Sequence, residues 1–179
     1  MEFFRFKSIL LGAAAVGKTS LLHQYVSGKF SDDYAATIGV DFLSKEVDFE
    51  ESTVKITIWD LAGQPKFKFL RKNFYNGTHG ALLIFDLTRE GSFEELSTWY
   101  SEMMEFARDE IPFILIGNKL DLILEGTEDR VISTERAKEY AQQYDSVYME
   151  TSAKTGKNVE EAFRKLMVLM GQSKGHEIK

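Results

Sequence analysis

The 179-residue chain contains no cysteine. That excludes disulfides, thiolate zinc sites, thiol catalysis and a prenyl or palmitoyl anchor on these residues. A reducing, cytoplasmic setting is the default expectation, and membrane association has no support from the sequence. Proline is nearly absent, at 2, and glycine stands at 13. Collagen-like and low-complexity classes are therefore out. Cationic excess is lacking too: Lys and Arg number 22 against 28 Asp and Glu, for a net charge of -6. A duplex-nucleic-acid binder carries the opposite balance, so no nucleic-acid partner is expected. No apolar run approaches the ~18–20 residues of a membrane helix. One decoy is rejected. Arg5 and Lys7 precede a short apolar stretch, and Ala13–Ala15 imitates a cleavage site. That stretch is too short, and Gly17-Lys18-Thr19 follows at once. Glu2 removes a myristoylation signal.

What is present is an ordinary globular balance, 44% hydrophobic and 28% charged, enough for one domain with a sizeable core. Strand-like runs at 4–11, 40–49, 53–60, 80–86, 112–117 and 147–150 alternate with amphipathic helical runs. The pattern predicts an α/β fold with a mostly parallel sheet. Helices are expected over 18–27, from a capping box at Ser92-Phe-Glu-Glu95 to about Arg108, from Ser133 or Thr134, and from an Asn158 cap to a stop at Gly171. Residues 1–171 form the expected domain and 172–179 a polar, frayed tail.

Gly12-Ala-Ala-Ala-Val-Gly17-Lys18-Thr19 fits the spacing G-x-x-x-x-G-K-[ST] between a strand and a helix. In such a loop, backbone N–H groups curl around phosphate oxygens and the helix N-terminus adds partial positive charge. Lys18 supplies a full charge and the Thr19 hydroxyl a hard oxygen for Mg²⁺. A chance match is the bland alternative, made less favourable by the strand–loop–helix setting. Trp59-Asp60-Leu-Ala-Gly63-Gln64 closes another strand. Asp60 is a second Mg²⁺ candidate, where a lone Asp is more often a cap. Gly63 lets backbone approach a terminal phosphate, and Gln64 can orient water. Asn118-Lys119-Leu-Asp121 follows a buried run. A carboxylate there accepts from guanine N1–H and N2–H₂ together, a pairing adenine does not offer. Ser152-Ala153-Lys154 follows the last strand and can close over the base.

In order, Gly12–Thr19, Thr37, Asp60–Gln64, Asn118–Asp121 and Ser152–Lys154 resemble the five guanine-nucleotide motifs of the Ras superfamily of small GTPases. Thr37-Ile-Gly-Val-Asp-Phe42, Phe85-Asp-Leu-Thr88 and Thr151-Ser-Ala-Lys-Thr-Gly-x-Asn158 look most like its Rab branch. The resemblance implies a P-loop small GTPase fold: six strands, mostly parallel, one antiparallel edge strand and five helices. It implies GTP or GDP with Mg²⁺ held by Thr19, Thr37 and Asp60. The nucleotide would be bound by Ala14, Ala15, Val16, Gly17, Lys18, Thr19 and Ser20, by Phe30, Tyr34, Thr37 and Gly63, and by Asn118, Lys119, Asp121, Leu122, Ser152, Ala153 and Lys154. Lys18 and Gln64 would be catalytic. The implied partners are protein effectors, an exchange factor and a GTPase-activating protein, in membrane traffic or related signalling. Hydrolysis is expected to be slow without an activating protein, since no arginine stands where it would obviously serve in cis.

Three departures stand out. Leu61 replaces the family's usual Thr. Pro65 replaces a Glu and biases Gln64 toward extended backbone. Ala14 stands where many Ras relatives have Gly and crowds the path of an incoming arginine. Rab proteins usually end in prenylated cysteines, whereas this chain ends Gly-His-Glu-Ile-Lys179. A pseudo-GTPase interaction module is the alternative within the family, against which Lys18, Thr19, Thr37, Asp60 and Gln64 argue. An ATP-using P-loop kinase is the alternative outside it, opposed by Asp121 and by the lack of an Arg-rich lid.

Overall fold

Continuous apolar runs dictate the centre of the molecule. In the computed structural model, which describes residues 2–33 and 35–179, Gly80–Asp86 (β4) is buried along its whole length. Phe113–Asn118 (β5) is buried likewise, as expected of strands covered on both faces. Around them run Glu2–Leu11 (β1), Val40–Asp48 (β2), Ser52–Leu61 (β3) and Val147–Glu150 (β6). The sheet order is β2-β3-β1-β4-β5-β6. β2 alone pairs antiparallel, with Val40 opposite Leu61. β1 pairs parallel with β3 and β4, and β4–β5 and β5–β6 are parallel.

The helices are Lys18–Ser27 (α1), Lys68–Lys72 (α2), Glu90–Glu94 (α3), Leu96–Phe106 (α4), Leu120–Leu124 (α5), Thr134–Gln142 (α6) and Val159–Ser173 (α7), with a 3₁₀ turn at Pro65–Phe67. Taking α3 and α4 as one helix interrupted at Glu95, and setting aside the single-turn α5, leaves the five implied by the resemblance. One apolar layer packs α1 and α7 on the sheet through Leu21, Leu22, Phe163 and Leu166. The other packs α4 and α6 through Leu96, Trp99, Met103, Ala137 and Ala141. None of the helices among the described residues is long and apolar enough to cross a membrane.

Ser133 caps α6, accepting from the Arg136 N–H at 3.2 Å. Three other local expectations are corrected. Ser92 does not open a helix. Its hydroxyl accepts from Asp86 N–H at 2.9 Å and donates to Arg89 O at 2.7 Å. It thereby ties the loop after β4 to a helix that starts at Glu90. Asn158 precedes α7 in left-handed geometry (φ 61°) and makes no side-chain cap. Its amide donates instead to Glu150 O at 2.8 Å. Gly171 does not stop α7, and the tail is not frayed. Ile178 returns to the core and packs where a Gly171 side chain would stand. Glu51 N–H donates to Lys179 O at 2.7 Å.

Candidate functional site

The parallel strands deliver their following loops to one edge of the sheet, where α/β folds build their sites. Because β1 lies between β3 and β4, the loops at 12–17, 62–64 and 87–89 are neighbours there. The first two of these line a cavity of about 710 Å³, whose walls also come from α1, residues 29–33 and 35–37, and the segments after β5 and β6.

The end expected to take phosphate is built by close backbone approach. Gly17 holds φ 99°, and a side chain there would strike the Asn118 amide. Gly63 has no room for one either: a Cβ would lie 2.6 Å from Gly12 O and 2.7 Å from Ala14 N. Lys18 is 6% exposed and donates to Gly12 O and Ala13 O, each at 2.7 Å. Burial pushes its pKa down to about 8, against the opposing pull of Asp60. A bound polyphosphate would supply the missing countercharge.

Three oxygens converge beside it. Thr19 Oγ1 donates to Asp60 Oδ2. Thr37 Oγ1 lies 2.7 Å from Thr19 Oγ1 and 3.4 Å from Asp60 Oδ2. Asp60 is fully buried, its Oδ1 finds no partner among the described residues, and burial raises its pKa. An orphaned buried carboxylate oxygen beside two hydroxyls is a hard, oxygen-only donor set, and a small divalent cation fits it.

Gln64 lines the cavity with extended backbone, φ −75° and ψ 138°, ahead of the turn that Pro65 opens. This is the restriction the sequence predicts. Its carbonyl is held from behind. Arg71 Nη1 donates to Gln64 O and Ala62 O, both at 2.9 Å. Arg71 in turn forms a two-pronged pair with Glu102, Nε–Oε1 2.7 Å and Nη2–Oε2 2.8 Å. Both side chains are 3% exposed. Tyr75 OH donates to Glu102 at 2.8 Å, and the guanidinium lies 4.5 Å over the Trp99 ring. Leu61 fills the core beside Tyr75 and Leu83, which accounts for an apolar residue at that position.

The opposite end reads as a base pocket. Asn118 cross-links the loops: Nδ2 donates to Val16 O at 2.9 Å, and Oδ1 accepts from Thr151 Oγ1 at 3.0 Å and Ala153 N–H at 3.3 Å. Ser152 Oγ donates to Asp121 Oδ1 at 2.6 Å. That leaves Asp121 Oδ2 without a partner among the described residues. Lys119 sits at φ 69° and pairs with Asp86 at 2.7 Å. Phe30, Leu122, Ala153 and Lys154 line the cavity too, with Ala14, Ala15 and Ser20. Val16, Asp60 and Ser152 stand behind the wall rather than in it. Tyr34 lies outside the described residues. The sequence reading missed His23 and Ser27, which also line the cavity. Their signal was legible, since Thr19, His23 and Ser27 recur every four residues on one face of α1. It also missed Arg89, whose Nη2 donates to Ala14 O at 2.6 Å.

Comparison with known proteins decides the family. A model of the Ras family matches residues 7–172. The chain belongs to that family, on its Rab branch. It is 46% identical over 163 residues to Ras-related protein RABG3f of Arabidopsis thaliana, covering 88% of this chain and 78% of that protein. It is 45% identical, with the same coverage, to Ras-related protein Rab7 of Cenchrus ciliaris. Ras-related protein Rab-2B of Dictyostelium discoideum is 41% identical over 160 residues, covering 89% of this chain and 77% of that protein. The fold is accordingly the small GTPase fold.

Proposed function

We propose that this chain is a switch that binds GTP or GDP with Mg²⁺ and hydrolyses GTP to GDP and phosphate. The observation that carries the reading is the polarity of one cavity. Lys18, the Thr19–Thr37–Asp60 oxygens and Gln64 stand at one end, and Asp121 with Asn118 stands at the other. A purine nucleoside polyphosphate has the same polarity, with charge at one end and a hydrogen-bonding base at the other.

Thr19, Thr37 and Asp60 would hold Mg²⁺, which when bound neutralises charge on the phosphates. Lys18 contributes a buried cation and the glycine-shaped loop its N–H groups, so phosphoryl transfer proceeds by positioning and electrostatics. Gln64 both donates and accepts, and orients the attacking water. Asp121 Oδ2 takes the guanine N–H groups.

Thr37 and Gly63 are the two points at which a terminal phosphate changes the surface. Next to them Ile38 is 86% exposed, Phe42 53% and Phe69 85%. Phe42 stacks on Trp59, and Trp59 in turn meets Phe74. We assign this apolar surface to protein partners that read the nucleotide state.

The test is direct. The purified chain is extracted, its nucleotide identified by chromatography, and phosphate release followed after loading with GTP. Guanine nucleotide in the extract and release that slows in Gln64→Leu support the reading. Bound nucleotide with no release, or release unaffected by Gln64→Leu, refutes it in favour of an interaction module.

A further inference from the structure

We propose that Asp86, at the end of β4 and outside the cavity wall, is a positioning residue for guanine recognition: it holds Lys119 and, through it, the turn that presents Asp121. The proposal rests on the guanine-nucleotide reading above and adds a residue to it.

The sheet brings the two residues together. β5 lies between β4 and β6, and Asp86 stands opposite Asn118 in the β4–β5 register. The turn after β5 therefore has a strand end on each side. On the β6 side, Ser152 Oγ donates to Asp121 Oδ1, and Leu120 N–H donates to Thr151 O at 3.0 Å. On the β4 side, Leu87 N–H donates to Asn118 O at 3.1 Å, and the Lys119 ammonium pairs with Asp86 Oδ2 at 2.7 Å.

The carboxylate is itself fixed. Asp86 is 3% exposed, and its Oδ1 accepts from Thr88 N–H at 2.9 Å and from the Thr88 hydroxyl at 2.6 Å. Its own N–H donates to Ser92 Oγ at 2.9 Å, and its carbonyl accepts from Arg89 N–H at 3.1 Å. A buried charge needs a partner. Among the described residues Lys119 is the one cation within ion-pair distance of Asp86, and its ammonium has no other partner there.

Lys119 in turn needs holding. Its φ of 69° is a left-handed conformation, which a non-glycine residue keeps where its surroundings over-determine it. Lys119 lines the cavity. With its head tied to Asp86, the side chain is fixed at both ends, and Asp121, two residues on, inherits the orientation of the turn. A two-pronged contact to guanine N1–H and N2–H₂ depends on that orientation. Asp86 thus acts on the base without touching it. The stretch Phe85-Asp-Leu-Thr88, to which the cavity assigns nothing, gains a role: Asp86 carries the lysine and Thr88 braces Asp86.

Four chains test this: the parent, Asp86→Asn, Lys119→Met and the double variant. Asn keeps an acceptor for Thr88 and removes the charge; Met keeps an apolar stem and removes the ammonium. Release of radiolabelled GDP into excess unlabelled GDP should quicken about 10-fold in Asp86→Asn, within the range measured for coupled neighbouring side chains. Single-turnover hydrolysis of bound GTP should stay within about threefold, because Lys18 and Gln64 stand at the other end of the cavity. The deciding readout is the affinity ratio of GDP to inosine diphosphate, which lacks the 2-amino group. That ratio should shrink at least ~3-fold in Asp86→Asn, since a misaimed Asp121 loses the bond to that group. In the Lys119→Met background, Asp86→Asn should add nothing further.

Asp86→Asn with the parent release rate, or with GDP and inosine diphosphate weakened alike, overturns the proposal and leaves Asp86 a strut of the fold. Slower release overturns it too, since Asp86 would then be drawing Lys119 off the nucleotide. Urea unfolding at saturating GDP checks that Asp86→Asn folds. If it does not, Lys119→Met carries the same measurement, and an unchanged ratio there overturns the proposal. A parent that retains no guanine nucleotide overturns the guanine-nucleotide reading itself, and this inference with it.

Discussion

Removing the Glu102 carboxylate should be among the most damaging single changes available outside the cavity. Glu102 receives two charge-assisted bonds from Arg71, at 2.7 and 2.8 Å, and one from Tyr75 at 2.8 Å. All three side chains are buried. In Glu102→Ala the guanidinium keeps only the Ala62 and Gln64 carbonyls and becomes an uncompensated buried charge. Breaking one side of such a pair costs about 3–5 kcal/mol. The orphaned Tyr75 hydroxyl adds up to ~1–3 kcal/mol, only partly independent. A loss of about 4 kcal/mol is a large share of the ~5–15 kcal/mol that holds a domain folded.

Urea unfolding at fixed, saturating GDP and Mg²⁺ measures the loss, since ligand concentration itself shifts stability. With a slope of ~2 kcal/mol/M the midpoint should drop by about 2 M. The double variant Arg71→Met, Glu102→Leu should cost clearly less than the two single changes summed. Apolar replacement of both partners leaves no stranded charge, although two carbonyls then lose a donor. A cost below about 1 kcal/mol for Glu102→Ala would refute this. So would additivity within ~0.5 kcal/mol, because it would mean the pair is not coupled.

Asp121→Asn should lose GTP and gain XTP, since one acceptor oxygen becomes a donor; titration with both nucleotides checks it, and unchanged GTP binding refutes the base assignment. Thr19→Asn should weaken GTP much more than GDP, because Thr19 and Thr37 meet at 2.7 Å in a site that favours the triphosphate; equal loss refutes the metal role. Burial, then the charge of Lys174, lowers the His79 pKa, and its Nδ1 accepts from Lys7 N–H at 3.0 Å. The unfolded chain binds that proton near pH ~6.5 and the folded chain resists it. Stability should therefore fall from pH 7 to pH 5, and the fall should be shallower in His79→Gln; parallel profiles refute the contribution.

The nucleotide motifs were legible because each is local: a loop, its glycines and the side chains at its edge occupy a few consecutive residues. The buried central strands followed from continuous apolar runs. What escaped was non-local or contested. Arg71 and Glu102 are 31 positions apart, and neither type is an obvious occupant of a core. Ile178 is one apolar residue in a polar tail, too little for a period, yet it packs against Gly171. Ser92 carries the pattern of a capping box, but the Asp86 N–H at the end of β4 also needed an acceptor and took the hydroxyl. Local propensity named the residue there, and tertiary contact chose its partner.

The chain contains two tryptophans, and one of them lies beneath the Arg71 guanidinium at 4.5 Å. Trp99 is 4% exposed, so water barely quenches it. Its emission should instead follow the position of a cation that grips the Gln64 carbonyl. The protein thus carries an intrinsic optical probe of its Gly63–Gln64 segment. With Trp59 replaced by Phe, a stopped-flow trace of the remaining indole would time the release of that segment, with no label attached to the nucleotide.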